Sequence, residues 1–393
     1  MSFSKRRVFL CLTLGLLTAF GPFVTDFYLP AMPSMAADLK TSPQLVSLSI
    51  TMGMIGLALG QLLVGPLSDK YGRRGPLLAS LAIFIVASLA CLFAPDIQTL
   101  NVLRVFQGLG GAGGIVLSKS MSTDMYSGEE LAKFMAVLAA INGIAPVSAP
   151  VIGGLLMSVT GWRGIFAVLL AVGVVLFVCS CFLSESLTEE RRQGGALGTV
   201  YANLFRVFRN PLYLFPVLLE IGSFLMFFAY LSSSPFILQG EFGVSPLAYS
   251  VAFAVNALMI GVGSGLCGLF RHLRMALLCG GLLSFVAASL VAVCLIAHGS
   301  LWALLVCYAL ALTGFGLMQP AATSVALDAE RANAGAASAV FGASNFVAGA
   351  VASPLVGFGG MRMGTSVVMV VGALVSLAFA AVLYRRLGSL RGD

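Results

Sequence analysis

Stretches of about twenty residues without a single Asp, Glu, Lys or Arg recur along this chain, and they decide what it can become. Gly75–Pro95, Met275–Ala297 and Met363–Tyr384 are three of them. At 1.5 Å of rise per residue, a helix of that length crosses the ~30 Å hydrocarbon core of a bilayer. Only 9% of the 393 residues are charged, whereas soluble domains carry roughly a quarter. Such a chain cannot cover a water-soluble globule with polar surface, so the expected fold class is an all-α membrane protein.

Hydropathy marks twelve spans, at about 8–30, 45–66, 76–95, 99–120, 132–158, 163–183, 212–236, 246–269, 275–297, 300–322, 335–358 and 363–384. The first follows Lys5-Arg6-Arg7 and has the layout of a secretory leader. No small-residue cleavage site follows it, and the run continues into Asp26-Phe27-Tyr28-Leu29-Pro30, so it is read as a retained span. An even number of spans puts both termini on one side. Of the 22 Lys and Arg residues, only Lys40, Arg163 and Arg362 fall in the odd-numbered connections, and Arg104 lies within a span. The remaining basic residues mark the other face as cytoplasmic, which predicts a bacterial inner-membrane protein with both ends inside. The net charge of +7 is thus an orientation signal and a contact for anionic lipid, and no nucleic-acid partner is expected.

Eight cysteines all lie in apolar runs without a Cys-x-x-Cys pair, and His272 and His298 are the only histidines. Neither a disulfide framework nor a metal site is expected. No Gly-x4-Gly-Lys-Ser/Thr loop is present either, so ATP is not the expected energy source.

The longest connection, Ser184–Asn210, carries Glu185, Glu189-Glu190-Arg191-Arg192 and Gly194-Gly195. It divides the chain into an expected six-helix bundle at 1–184, a cytoplasmic linker at 185–210 and a second six-helix bundle at 211–393. The halves echo each other. Pro150 and Gly161-Trp162-Arg163 around the fifth span are matched by Pro354 and Gly360-Met361-Arg362 around the eleventh, and Gly65 and Arg74 by Gly265 and Arg274. Paired halves of this kind place a substrate site between them near the bilayer midplane in many transporters.

After the second span the sequence reads Gly65-Pro66-Leu67-Ser68-Asp69-Lys70-Tyr71-Gly72-Arg73-Arg74. This resembles the loop signature of the major facilitator superfamily. Arg104-Val105-Phe106-Gln107-Gly108 is similar to that superfamily's Arg-x-x-Gln-Gly motif, and Pro146 with Ala149-Pro150-Val151-Ile152-Gly153-Gly154 resembles the glycine/proline motif of its proton-coupled exporters. Asp26-Phe27-Tyr28-Leu29-Pro30 and Ser234-Pro235-Phe236-Ile237-Leu238 resemble the Bcr/CflA branch, the bicyclomycin and chloramphenicol exporters. Two departures stand out: Ala149 occupies a place where many exporters have Gly, and Leu269 one where the second half would repeat the loop Asp. The resemblance implies two pseudo-symmetric six-helix halves, alternating access, and export of small hydrophobic or amphipathic drugs against protons, without a cofactor. A dedicated exporter of a nucleoside, sugar or amino-acid derivative is the alternative on the same fold. An intramembrane enzyme would need clusters of catalytic or metal-ligating side chains that the spans lack.

Three charged residues are expected within spans, Asp26, Arg104 and Glu220, where an ionised side chain is expensive unless it faces a cavity or a partner. The resemblance maps the branch's first-span acid onto Asp26, which makes it the leading proton carrier; the alternative is a solvated residue near a helix end. Arg104 is expected at a similar depth, paired with Asp26 and either coupling or merely static. Glu220 is inferred from burial alone, as a second proton site, a counter-ion or a structural hydrogen-bonding group. Tyr28, Gln107, Asn142, Phe227, Tyr230, Asn256 and Asn345 are expected to line a substrate cavity or else to pack the core. Gly65, Asp69, Gly72, Arg73, Arg74 and Asp124 form an expected cytoplasmic switch, and Pro146, Pro150, Gly153 and Gly154 a smooth, kinked fifth span. The expected partners are a small-molecule substrate, protons and lipid, with the protein acting as a monomer.

Overall fold

A computed structural model describes residues 3–192, 207–330 and 334–389, and every regular element among them is helical. The expected linker at 185–210 and its Gly194-Gly195 lie mostly outside the described residues. The helices are α1 (Phe3–Thr18), α2 (Phe20–Thr25), α3 (Met32–Asp38), α4 (Pro43–Tyr71), α5 (Arg74–Leu92), α6 (Ile97–Met125) and α7 (Gly128–Cys181). They continue as α8 (Pro211–Pro235), α9 (Pro246–Cys267), α10 (Leu273–Ile296), α11 (Leu301–Ala329), α12 (Ala334–Val356) and α13 (Met361–Ser389). A 3₁₀ turn at Leu29–Ala31 joins α2 to α3, and a π-helix at Phe236–Glu241 extends α8.

Among the described residues, ten helices are long and apolar enough to cross a membrane by themselves. One of these, the 54-residue α7, is two crossings: Gly161 has φ 66° and ψ −173°, outside the helical region, and breaks it. The first crossing is a bent pair, Arg7–Thr18 with Phe20–Asp38, at 44°. With α7 divided and the bent pair counted once, the twelve expected spans are all present.

Local chemistry explains where the helices begin. Pro211 and Pro246 stand in the first turns of α8 and α9, where the missing N–H is no loss. Asp96, Asn210, Ser245 and Ser300 each accept a hydrogen bond from a backbone N–H of the first turn they cap.

The chain forms two compact units. One comprises Met1–Thr41 and Met52–Val200, the other Ser42–Thr51 and Tyr201–Asp393. Within the first, α6 is flanked closely on two sides. A Cβ at Gly56 or Gly60 would strike the α6 backbone at Val105 and Leu109, and one at Gly108 the α4 carbonyl of Gly53. On another side of α6, Gly110 and Gly113 meet Ser80 and Phe84 of α5. The second unit repeats the device. Gly263 of α9 lies on the Thr313 carbonyl of α11, Gly316 of α11 on Ile260, and Gly280 and Gly314 bring α10 and α11 together beside Ser284. In lipid the apolar effect gives helices no reason to associate, so such close van der Waals approach carries the packing. The segment Ser42–Thr51 belongs to the second unit through hydrogen bonds from Ser47 Oγ to the Ser232 carbonyl (3.1 Å) and from Ser353 Oγ to the Ser47 carbonyl (2.7 Å).

Gly108→Val and Gly263→Val should each overpack a backbone contact and destabilise the protein by about 1–3 kcal/mol. Gly261→Ala, where a Cβ meets open space, should be neutral. Thermal unfolding of the purified variants in one detergent checks both expectations.

Candidate functional site

Three polar constellations stand out, each held within one unit. The first surrounds the break in the first crossing. Pro22, Pro30 and Pro33 interrupt the hydrogen-bond ladder between α2 and α3, and the interruption leaves Asp26 at the C-terminal end of α2, only 4% exposed. Its carboxylate accepts from the Thr25 hydroxyl (2.6 Å). Arg104, fully buried on α6, does not pair with it. The guanidinium donates to Gln107 Oε1 (2.5 Å) and to the Val24 carbonyl, and lies 4.4 Å over the ring of Tyr28. The expected Asp26–Arg104 ion pair is therefore not made. The carbonyl exposed by the helix break, an amide and an aromatic face satisfy the cation instead. Gln107 passes the chain on, donating from Nε2 to Ser88 Oγ (2.8 Å). Gly53 leaves room for this arrangement, since a Cβ there would lie 2.9 Å from Arg104 Nη2.

Tyr28 and Gln107, expected to line a cavity, are thus fully buried around Arg104. Gly153 lets α7 rest on the Phe27 carbonyl at the same break. Pro150 and Gly154 are buried beside it and Pro146 half-buried, and α7 runs through both prolines without leaving helical geometry. Asn142, earlier in α7, is exposed with Gly143 and Ile144.

The second constellation lies in the other unit. Glu220 sits nine residues into α8, or ~14 Å by helical rise, and is fully buried. Its Oε2 accepts from Gln319 Nε2 of α11 (2.7 Å), and its Oε1 has no hydrogen-bond partner among the described residues. One turn farther along, Phe224 and Phe227 of α8 meet Phe315 of α11 with ring centroids 5.1 and 5.0 Å apart, the second pair stacked. Beyond them Tyr230 takes a hydrogen bond from Asn256 Nδ2 of α9 (2.9 Å) and lies 4.8 Å from Tyr308 of α11. Phe227 thus joins the aromatic group beside Glu220, Tyr230 and Asn256 form a separate bonded pair ten residues (~15 Å) farther along α8, and Asn345 stands half-buried on α12.

The third constellation joins α4, α5, α6 and the end of α7. Gly72 turns the chain at φ 91°, and a Cβ there would meet the Glu185 carboxylate. The turn aims Arg73 back at Asp69 (2.5 Å), Asp124 (2.9 Å) and Ser68 Oγ (2.7 Å), with Ser68 in turn donating to the Gly65 carbonyl (2.7 Å). Burial works against the Arg73 charge, but Asp124 and Asp69 outweigh it and hold its proton more firmly than usual. Arg74 donates to the Cys181 carbonyl (2.7 Å). The Glu185 carboxylate accepts the backbone N–H groups of Arg73 and Arg74 and, just beyond it, Ser186 and Leu187. Partial burial raises its pKa, and these four donors more than reverse that, leaving it below the usual carboxylate range.

The sequence-based reading missed several of these participants. Glu185 was grouped with the acidic linker, although its position directly after the sixth span was a usable signal. Nothing in the sequence tied Gln319 to Glu220, because the contact spans 99 residues. Lys119 also needs correcting: it stands inside α6, six residues before its end, exposed and without a hydrogen bond or ion pair among the described residues. It falls inside the expected fourth span, on the same helix as Arg104.

Apolar helices that cross and recross a bilayer, with charged and amide side chains sealed inside the bundles, define a polytopic membrane carrier. The chain belongs to the Major Facilitator Superfamily, whose sequence profile matches residues 12–353. It is 34% identical over 98% of both chains to the uncharacterized MFS-type transporter YdgK of Bacillus subtilis (strain 168). It is 29% identical, over 65% of both chains, to a bicyclomycin resistance protein homolog of Haemophilus influenzae. The fold matches a bacterial homolog of the human lysosomal transporter Spinster, with a TM-score of 0.76 at 17% identity over 96% of this chain and 97% of that one. These are transporters, and the intramembrane-enzyme reading falls away.

Arg73→Ala removes the guanidinium bound to Asp124, whose side chain is only 4% exposed, and should destabilise the protein by about 3 kcal/mol. Arg73→Lys should recover only part of this, because one ammonium cannot reach all three acceptors. Glu185 has a depressed folded pKa, so its contribution to stability is complete above the ordinary glutamate range (about 4.3). That contribution is lost as the pH falls through the lower folded value. Glu185→Gln should therefore melt below the native protein at neutral pH, and the gap should close on acidification in a pH series of melting curves.

Proposed function

We propose that this chain is a proton-coupled exporter that moves small hydrophobic or amphipathic compounds out of the bacterial cytoplasm by alternating access. It would act as a monomer in the inner membrane, with both termini in the cytoplasm and two six-helix halves joined by the linker at 185–210. The observation that carries this reading is the pair of buried acids with only neutral partners. Asp26 has the Thr25 hydroxyl and Glu220 the Gln319 amide, and among the described residues no cation lies at either carboxylate. An ionised carboxylate shut away from water without a cation is costly to maintain. Taking up and releasing a proton is the direct way for such a group to change its charge as its surroundings change.

In this mechanism the Arg104 cage holds the broken first crossing in place while Asp26 exchanges its proton. Glu220, with Phe224, Phe227 and Phe315 one turn away, offers a carboxylate beside aromatic faces on which a planar or amphipathic compound can rest. The Arg73–Asp69–Asp124 group acts as a switch that must open for the cytoplasmic ends of α4, α5 and α6 to part. The resistance-protein relative supports the drug-exporting assignment, and the basic residues of the cytoplasmic loops support the orientation. Each charge that crosses the membrane is worth ~2.3 kcal/mol per 100 mV, so the proton gradient is a sufficient energy source.

Asp26→Asn should abolish substrate accumulation driven by an imposed pH gradient in inverted vesicles, by tenfold or more, while leaving substrate binding measurable. Glu220→Gln should weaken binding more than coupling. Transport by Asp26→Asn at the native rate and with native proton dependence would remove Asp26 from this role.

A further inference from the structure

In each unit an arginine stands two residues after a glycine corner, and the two arginines make the same contacts. Arg163 follows Gly161 (φ 66°); its Nη1 donates to Asp38 at the end of α3 (2.5 Å) and its Nη2 to the Ala94 carbonyl just past α5 (3.4 Å). Arg362 follows Gly360 (φ 94°). It reaches Glu241, the last residue of the π-helix, with Nε and Nη2 (2.5 Å each), and its Nη1 donates to the Leu295 carbonyl near the end of α10 (3.0 Å). Each arginine thus ties together the far end of the unit's first crossing, the end of its third and the start of its sixth. The repeat visible in sequence as Gly-Trp-Arg and Gly-Met-Arg is also a repeat of side-chain contacts.

The two clusters differ in one partner. In the first unit Trp162 donates from its indole Nε1 to Asp38 (2.8 Å), and its ring lies 4.1 Å from the Arg163 guanidinium. In the second unit Arg362 Nη1 lies 2.6 Å from His298 Nδ1. A guanidinium has donors and no acceptor, so this bond requires Nδ1 to be unprotonated. His298 is exposed and held at φ 53° in the turn after α10. The charged groups facing it are Arg362 and Glu241, and Tyr308, Cys294 and Cys307 stand behind that cluster. Phenols and thiols ordinarily titrate above neutrality, whereas histidine is the side chain that changes charge between pH 5 and 8.

We propose that Arg163 and Arg362 are equivalent latches holding the far ends of the first and seventh crossings, and that His298 makes the second latch release in acid. Protonation of His298 sets N–H against N–H and a second positive charge beside the guanidinium. The tie therefore holds while Nδ1 is bare and slackens once it carries a proton. The first latch has Trp162 in that place, which takes up no proton, and stays closed. That this face is the periplasm, the acid side of a proton gradient, rests on the orientation proposed above; the latch chemistry itself does not depend on that orientation or on the substrate.

Hydrogen–deuterium exchange of the full-length protein in lipid nanodiscs tests the proposal, at about pH 5.5 and about pH 7.5 and with exchange times scaled for the intrinsic rate. Backbone amides in 236–245 should exchange about fivefold faster at the lower pH, the value of one ordinary hydrogen bond, and those in 32–42 should be unchanged. In His298→Asn the pH difference should vanish, because Asn tolerates the positive φ and its side-chain oxygen accepts from Arg362 without titrating. Arg362→Ala should release 236–245 at both pH values and leave 32–42 protected, and Arg163→Ala should do the reverse. Equal protection of 236–245 at the two pH values in the native protein, or a pH difference that survives in His298→Asn, overturns the proposal.

Discussion

A cation inside a hydrocarbon slab has no water to turn to, and Arg104 shows what its burial demands of the chain around it. Two segments supply these contacts. The broken first crossing provides the Val24 carbonyl near the end of α2 and the Tyr28 ring just beyond it, and α6 provides Gln107. Gly53 of α4 must lack a side chain for the guanidinium to fit. Removing a partner from such a group costs more than the bond itself, because the remaining polar atoms stay buried. The broken shape of the first crossing and the smooth face of α4 are in this sense requirements set by one charge.

The acids follow a different rule from the arginines. Arg73, Arg163 and Arg362 each lie within reach of a carboxylate, near the ends of helices where water can share the load. Asp26 and Glu220 are almost fully buried and, among the described residues, have only hydroxyl or amide partners. Ion pairs at the rims set where helices end. The interior carboxylates hold neutral partners instead.

Much of the fold was legible in the sequence because a bilayer imposes one length and one polarity on every crossing, and uncharged runs such as Met275–Ala297 declare themselves. The corner at Gly161 and the ion-pairing of Arg73 with Asp69 and Asp124 were also legible, since helix ends and loop motifs are local. What stayed hidden was side-chain direction. Asp26 and Arg104 lie at similar depth, yet which partner each faces depends on the rotation of α6 and on the kink after Val24, and neither is written in the spacing. Gln319 for Glu220 and His298 for Arg362 escaped for the same reason: residues 99 and 64 positions apart are joined by packing alone.

The fifth and sixth crossings meet at Gly161 without a loop between them, and Arg163 is anchored two residues later. A joint that short has no slack. A tilt of the fifth crossing must be passed to the sixth at once, so the pair behaves as one bent lever, with its fulcrum at the membrane surface. At this corner a single added residue would turn Arg163 away from Asp38.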